Sequence, residues 1–373
     1  MLRDVPLAED LTQEALVAAL EHWPADGVPE KPGAWLMATA KRRALDHIRR
    51  NSMLTGKHGM LAHDLAWEQE TMPDFDSALD DDIGDELLRL IFTACHPLLS
   101  REARAALALR MICGLTTEEI ARAFLQVEAT VAQRIVRAKR TLSESGLAYE
   151  TPRGEALSER LASVLEVVYL IFNEGYSASG DTAEIRSPLC EEAIRLARLL
   201  LRLFQSEPEI MGLTALLLLQ HARAAARFDA DGQVILLDDQ DRGLWNQKLI
   251  AEGIALIDKA MRHRKSGPYQ VQAAIAALHA RAEKPEDTDW AQIDLLYGAL
   301  EVMQPSPVIT LNRAVAVSKV KGPEAALEMI EPLAPRLANY FHYFGVRGAF
   351  LMQLGRNEEA RVAFDRAIAL ANT

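Results

Sequence analysis

Residues 114–142 read GLTTEEIARAFLQVEATVAQRIVRAKRTL and carry the most specific pattern in the chain. Thr116 or Thr117 can cap a first helix, and Glu119 stands where it would complete a capping box with Thr116. A short turn then leads to a second helix. The apolar positions of that helix, spaced to form one buried side, are Val131, Ile135 and Ala138. This arrangement predicts a helix-turn-helix.

The exposed side of the second helix is basic, since no acidic residue occurs from position 129 to 140. In a recognition helix, side chains near the amino terminus reach base edges in the major groove, and basic side chains contact phosphates. The residues expected to contact bases are Thr130, Gln133 and Arg134. Those expected to contact the DNA backbone are Arg137, Lys139 and Arg140. A merely solvated basic face is the alternative interpretation.

A second basic cluster lies on a helix predicted to run from Pro32 or Gly33 to Arg50. Its charged residues are Lys41, Arg42, Arg43, Asp46, Arg49 and Arg50. An apolar stripe on the same helix leaves these charges exposed, so the cluster is a candidate phosphate-binding surface. We expect Trp23 and Trp35, which flank the preceding break, to pack in the core; contact with an unstacked base is the alternative.

Helical periodicity dominates the whole chain, which predicts an all-α fold. Only residues 234–237 resemble a strand, and they allow one short hairpin. A first helix at about 8–22 is followed by a Pro/Gly break at 24–33, so the first two helices must fold back on each other. The predicted domains are a first helical domain at 1–52, an acidic linker at 53–84, the helix-turn-helix domain at 85–146 and a helical extension at 155–373.

An internal repeat of 34 residues appears near the carboxyl end. The positions that recur with small or apolar residues are Ala314, Ala326, Ile330 and Leu333, and then Gly348, Ala360, Phe364 and Ala367. This spacing predicts tetratricopeptide-like (TPR-like) helix pairs, clearest at 307–373, with a weaker third copy upstream. Such repeats stack into a solenoid that binds peptides or proteins. Ordinary packed helices are the alternative. The chain stops directly after a repeat, so we expect a polar capping helix to be missing.

Composition excludes several classes of protein. A net charge of −12 argues against a protein that coats nucleic acid or anionic membranes through bulk charge. The three cysteines are widely spaced, which signals neither a disulfide framework nor a zinc site. No stretch has the length and apolarity of a targeting or membrane segment, so we expect a cytoplasmic protein.

Polar residues of the extension do not form an evident catalytic pattern. The candidates are Asn173, Glu174, Asp181, His221, Asp238, Asp239, Asp241 and Asp289. No pair among them has the spacing of a metal site, of a nucleophile with its base, or of a phosphate-binding loop. We therefore expect no enzyme activity, no metal and no cofactor.

Three motifs, in order, resemble the extracytoplasmic-function (ECF) sigma factors of bacterial RNA polymerase. They are AEDLTQEAL at 8–16, PGAWLMATAKRRALD at 32–46, and the helix-turn-helix. The resemblance covers about residues 1–145. The rest resembles a subgroup with a TPR-like extension, through YLIFNEGYS at 169–177, DDQDRGLW at 238–245, GPYQ at 267–270 and DW at 289–290.

The resemblance implies a role for each matching residue. Asp10, Gln13 and Glu14 match the surface that docks on core RNA polymerase. The residues that match the helix reading and opening the minus-ten element are Lys41, Arg42, Arg43, Asp46, Arg49 and Arg50. Those that match the helix reading the minus-thirty-five element are Thr130, Gln133, Arg134 and Arg137. The implied partners are core RNA polymerase and promoter DNA, together with a protein or peptide partner of a regulatory extension.

Family members usually begin with one more helix, about two dozen residues upstream of Met1, so the resemblance implies either that the first domain is incomplete at its amino terminus or that the start of the chain is misassigned. The alternative function is a helix-turn-helix regulator whose TPR-like domain senses a peptide or protein without joining polymerase. In that account the basic helix at 41–50 has no role.

Overall fold

The computed structural model describes residues 5–29, 32–54, 87–124, 126–147, 149–176, 183–229 and 232–371. Regular structure in these ranges is helical, which confirms the all-α prediction. The expected hairpin reduces to an isolated antiparallel bridge between Phe228 and Val234, because Leu237–Asp239 turns into a short 3-10 helix. Within the described ranges, no helix combines the length and apolarity needed to cross a bilayer.

The chain divides into two compact units, at residues 1–167 and 168–373. The helices of the first unit are α1 (Val5–Asp26), α2 (Pro32–Leu54), α3 (87–94), α4 (Arg101–Met111), α5 (Thr117–Ala123), α6 (Glu128–Glu144) and the first half of α7 (Glu155–Tyr176). Those of the second unit are the rest of α7, α8 (Ala183–Leu203), α9 (Pro208–His221), α10 (Gln247–Met261), α11 (Pro268–Arg281), α12 (Trp290–Met303), α13 (Pro307–Lys321), α14 (Pro323–Ile330), α15 (Phe341–Gln353) and α16 (Asn357–Ala371).

Helices α1 and α2 pack against each other, as the break between them predicts. The break begins later than expected, because α1 continues through Pro24 to Asp26. A proline removes the hydrogen bond of its own N–H but allows the next residues to stay helical. The helix ends at Gly27, whose φ of 85° is left-handed and whose N–H donates to the Trp23 carbonyl oxygen at 3.0 Å.

The acidic linker predicted at 53–84 lies almost wholly outside the described residues, and positions 53 and 54 still belong to α2. A second break separates α6 from α7, where Gly146 and Gly154 have φ values of 64° and 60°. The two compact units nevertheless divide inside α7, between Val167 and Val168. The first half of α7 therefore belongs to the first unit, where its side chains contact α3, Cys95 and α4.

Helix α9 of the second unit packs against α8, α10 and α11. Every residue from Ile210 to Leu219 is buried. A helix that is apolar on all sides is stable only when neighbours surround it. Gly212 permits the close approach of α11, since an added Cβ would lie 2.6 Å from the Gln270 backbone nitrogen.

The 34-residue offset recurs in the helix boundaries near the carboxyl end. Helices α13 and α14 begin at Pro307 and Pro323, and α15 and α16 begin 34 residues later, at Phe341 and Asn357. Five of the small and apolar positions that recur between these two helix pairs are buried: Ala314, Ala326, Ile330, Gly348 and Ala360. In the weaker upstream copy the equivalent Gln292 and Ala299 are exposed. The TPR-like assignment stays a prediction.

Candidate nucleic-acid interface

A complete capping box begins the helix-turn-helix. The Thr116 Oγ1 accepts a hydrogen bond from the Glu119 N–H at 3.1 Å, and the Glu119 carboxylate accepts one from the Thr116 N–H at 2.7 Å. The bond that the Thr116 N–H donates to the carboxylate is the main cause of the lowered pKa of Glu119, and the Thr116 side chain lowers that pKa further. Of the two threonines that the sequence left open, Thr116 is the cap.

The apolar side of α6 is buried at the positions that the sequence indicates. Val131, Ile135 and Ala138 are buried, with Leu142 one turn further on. In the tight turn before α6, the Gln126 N–H donates to the Ala121 carbonyl oxygen at 2.8 Å. Burial of one side fixes the rotation of α6, so its polar side must face outward.

That polar side forms one wall of a shallow open groove. The residues of α6 that line it include Thr130, Gln133, Arg134 and Arg137, and the opposite wall includes Leu98, Ser100 and Ala103. Thr130, Gln133 and Arg137 are exposed. The four residues matched to minus-thirty-five recognition therefore lie together on one accessible surface, which we call the α6 face.

Two arginines of α6 are bound to neighbours within the same unit. Arg134 is half-buried and donates to the Gln126 side-chain oxygen at 2.7 Å. Arg140 pairs with Glu144 one turn further along α6, at 2.6 Å. Sequence reasoning did not include Gln126, although its place in the turn, eight residues before Arg134, is the available signal. Lys139 is half-buried on the same helix.

Helices α1 and α2 carry the other predicted residues. Lys41, Arg42 and Asp46 are exposed on α2, and the side chains of Arg49 and Arg50 lie outside the described residues. On α1, Asp10 and Gln13 are exposed, as is Glu14. The guanidinium of Arg43 donates to the Glu14 carboxylate at 2.7 Å. The structure thus joins two residues that the family resemblance assigns to different partners.

Trp23 and Trp35 pack edge to face between α1 and α2, with ring centroids 5.5 Å apart. Both are half-buried. This contact agrees with the expectation that the two rings serve packing.

Family models match three parts of the chain. Sigma-70 region 2 matches residues 1–53, Sigma-70 region 4 matches 89–142, and a family of unknown function (DUF6596) matches 160–261. The ECF RNA polymerase sigma factor SigL of Mycobacterium tuberculosis is 32% identical over 149 residues, which cover 39% of this chain and 79% of SigL. The chain belongs to the ECF sigma factor family. "Uncharacterized protein R00370" of Rhizobium meliloti is 56% identical over 371 residues, 99% of this chain and 87% of that protein.

This ECF sigma factor is a promoter-recognising protein. Helices α1 and α2 form its region 2, and the helix-turn-helix lies in its region 4. The regulator that works without polymerase would leave the region 2 match unexplained. Sigma factor families act by recognition and are not enzymes.

Several acidic residues considered as catalytic candidates have structural partners in the extension of this sigma factor. Asp289 caps α12 by accepting from the Gln292 N–H at 2.9 Å, and Asp241 accepts from the Gly243 N–H at 2.8 Å. Asp238 pairs with Lys319 at 3.1 Å. Among the residues that the structure describes, no three His, Cys, Asp or Glu side chains are grouped as metal ligands.

Proposed function

We propose that this ECF sigma factor binds core RNA polymerase and reads the two promoter elements with separate helices, α6 for the minus-thirty-five element and α2 for the minus-ten element. The accessible α6 face is the observation that carries the proposal. It presents amide, hydroxyl and guanidinium groups, the chemistry that reads base edges in the major groove. The proposed domains remain region 2 at 1–52, the linker at 53–84, region 4 at 85–146 and the extension at 155–373.

On α6 we assign Thr130, Gln133 and Arg134 to bases. Gln126 supports Arg134 through the 2.7 Å hydrogen bond, which limits the rotamers of the long side chain before DNA arrives. We assign Arg137, Lys139 and Arg140 to phosphates. Arg140 would exchange Glu144 for a phosphate oxygen, at little cost because an exposed ion pair contributes little free energy.

On region 2 we assign the exposed charged residues of α2 to DNA. Lys41, Arg42 and Asp46 are exposed and suit direct contact with the minus-ten DNA, as assigned also to Arg49 and Arg50. Arg43 holds Glu14, so its role is better explained as fastening α2 to α1. Asp10, Gln13 and Glu14 are proposed for polymerase docking, with Glu14 serving both purposes.

The test of the α6 assignment is transcription and promoter binding by the reconstituted holoenzyme. Arg134→Ala should weaken binding to the cognate promoter by about 5- to 150-fold, which corresponds to about 1–3 kcal/mol, and relax preference at one base pair. Arg122→Ala is the matched control, since Arg122 is an exposed arginine on α5 paired with Glu118. Equal loss on every promoter would instead make Arg134 a phosphate contact. Failure of the chain to bind core polymerase would refute the sigma function itself.

We propose further that the extension regulates the sigma regions in the same chain, with a protein or peptide as its partner. Helix α7 supports this idea because it contributes residues to both compact units. A truncation after residue 176 keeps the half of α7 that packs with region 4, whereas one after residue 154 removes it. The chain that ends at residue 176 should stay folded, and its promoter output should differ from that of the full chain. Unchanged output under all conditions would rule out regulation by the extension.

A further inference from the structure

Segments of the extension that promoter reading does not use come together in the second unit. Tyr176 is the last residue of the first of them, YLIFNEGY, and Arg242 and Trp245 belong to DDQDRGLW. They meet basic residues from two other places in the chain, directly after α9 and near the end of α11. We call this group the arginine cluster, and its members are Tyr176, Arg223, Arg227, Arg242, Trp245 and His279.

Two arginines hold the Tyr176 end of the arginine cluster. Arg223 donates to the Tyr176 hydroxyl oxygen at 2.7 Å and also to the Gln220 side-chain oxygen. Arg227 donates to the Tyr176 carbonyl oxygen at 2.6 Å, and its guanidinium carbon lies 3.7 Å from the centroid of the Tyr176 ring. These contacts hold both guanidinium groups at Tyr176, that of Arg227 over the ring and that of Arg223 at the hydroxyl.

The third arginine lies at the indole of Trp245. The Arg242 guanidinium carbon is 4.6 Å from the ring centroid, and that of Arg223 is 5.9 Å away. The Nη1 of Arg242 donates hydrogen bonds to the carbonyl oxygens of His279 and Ala282, at 2.6 and 2.7 Å. Among the residues that the structure describes, neither its Nε nor its Nη2, both buried, has a hydrogen-bond partner. The indole Nε1 of Trp245, a residue only 3% exposed, likewise has none.

The charges of the arginine cluster are not balanced by ion pairs. Within the described ranges none of its three arginines forms an ion pair with a carboxylate. Burial lowers the pKa of Arg242; the charges of Asp238, Glu286 and Asp287 oppose this shift from a distance, but Asp238 is paired with Lys319. Burial lowers the pKa of Arg223, and Arg227 and Arg242 lower it further. Burial also lowers the pKa of His279 to about 4. Buried like charges and unpaired donors are costly unless an anion meets them.

We propose that the arginine cluster binds an oxyanion, the carboxylate or phosphate group of a small ligand. Guanidinium groups present planar pairs of N–H donors that match such oxygens, and two nitrogens of Arg242, Nε and Nη2, have no hydrogen-bond partner among the described residues. The side chains of Arg223, Arg227 and Arg242 are half-buried, so part of each guanidinium-bearing side chain lies at the surface. The proposal is independent of promoter reading and of regulation by the extension.

The test is calorimetric titration of the purified full-length chain with inorganic phosphate and, separately, with citrate. Sodium chloride at matched ionic strength is the reference. Saturable binding of phosphate alone identifies a phosphate site, binding of citrate alone a carboxylate site, and binding of both a general oxyanion site. Absence of saturable binding by either probe would overturn the proposal.

Variants locate the binding. Arg242→Gln and Arg223→Gln should each weaken it at least tenfold, and Trp245→Phe, which keeps a ring but removes the unused N–H, should weaken it less. Arg281→Gln is the control, since Arg281 is exposed at the end of α11 and paired with Asp258. If the arginine variants do not fold, two other measurements test the site. One is binding by Trp245→Phe, and the other is the NMR titration of His279, whose pKa should rise when the anion binds. Binding that none of these measurements changes would refute the site.

Discussion

The guanidinium of Arg104 in α4 donates a hydrogen bond to the carboxylate of Glu166 in α7, across 3.0 Å. The same guanidinium donates to the hydroxyl of Ser163, which in turn donates to the carbonyl oxygen of Cys95 at 2.6 Å. Arg104 is 7% exposed. This buried network joins the first half of α7 to region 4, so the start of the extension is part of the promoter-reading unit.

Removal of Arg104 should therefore destabilise the first unit. We expect Arg104→Met to lower the free energy of unfolding by about 2–4 kcal/mol, because Glu166 and Ser163 lose a buried partner. Arg101→Met is the control: Arg101 also pairs with Glu166, at 2.6 Å, but its side chain is 68% exposed, so the loss should stay below about 1 kcal/mol. Urea unfolding measures both variants, and similar small losses would contradict the network's role.

The capping box predicts different effects for two adjacent threonines. Thr116→Ala removes the side chain that accepts from the Glu119 N–H, and it should cost about 1 kcal/mol of stability. Thr117→Ala changes a residue inside α5 and should cost clearly less. Thermal unfolding of the full chain and hydrogen exchange of the α5 amides measure the stability loss of each variant. A larger loss for Thr117→Ala would show that the cap is misassigned.

Packing in the extension can be tested with two glycines. Gly212→Ala places a Cβ 2.6 Å from the Gln270 backbone nitrogen, so α9 and α11 must move apart, at a cost of about 1–3 kcal/mol. Gly345→Ala meets nothing within 4 Å and lies inside α15, so it should stabilise the helix by roughly 0.5–1 kcal/mol. Denaturation midpoints measure the two changes. We expect Gly212→Ala to lower the free energy of unfolding and Gly345→Ala to raise it. Changes in the same direction would refute the close packing of α9 on α11.

Thiol labelling reports on burial in both units. Burial raises the pKa of Cys95 and of Cys190 to about 12. At pH 8 roughly one such thiol in ten thousand is a thiolate, the form that reacts with a disulfide reagent. Cys113 is only half-buried, so it should react first in the native protein, with the other two following after unfolding. Cys113→Ser should abolish the fast phase, and fast labelling that persists would contradict the burial of the others.

The pH dependence of stability should include a term from His279. Its pKa falls from 6.5 to about 4 in the folded chain, through burial first and then Arg223 and Arg242. Below pH 6.5 the unfolded chain therefore binds more protons, so this stability is present above pH 6.5 and is lost as the pH falls toward 4. Between pH 7 and pH 5 the wild type should lose about 2 kcal/mol more than His279→Gln. Urea unfolding at both values checks this; equal losses would contradict it.

Some features of the site were predictable because their signals are local. Thr116 and Glu119 are three residues apart, and Val131, Ile135 and Ala138 share one side of α6, so the sequence indicates both the cap and the outward face. The Arg43 contact with Glu14 was not predictable, since 29 residues separate them and many pairs of opposite charge would have satisfied the same pattern.

The sequence by itself determined the helical class, the helix-turn-helix and the family, because backbone hydrogen bonds and amphipathic periodicity act over three or four residues. Tertiary structure alone decided that the first half of α7 belongs to the first compact unit. It also decided that Tyr176 contacts Arg223 and Arg227, 47 and 51 residues further along the chain. Contacts at such separations depend on how whole helices pack, and periodicity within a single helix carries no information about its neighbours.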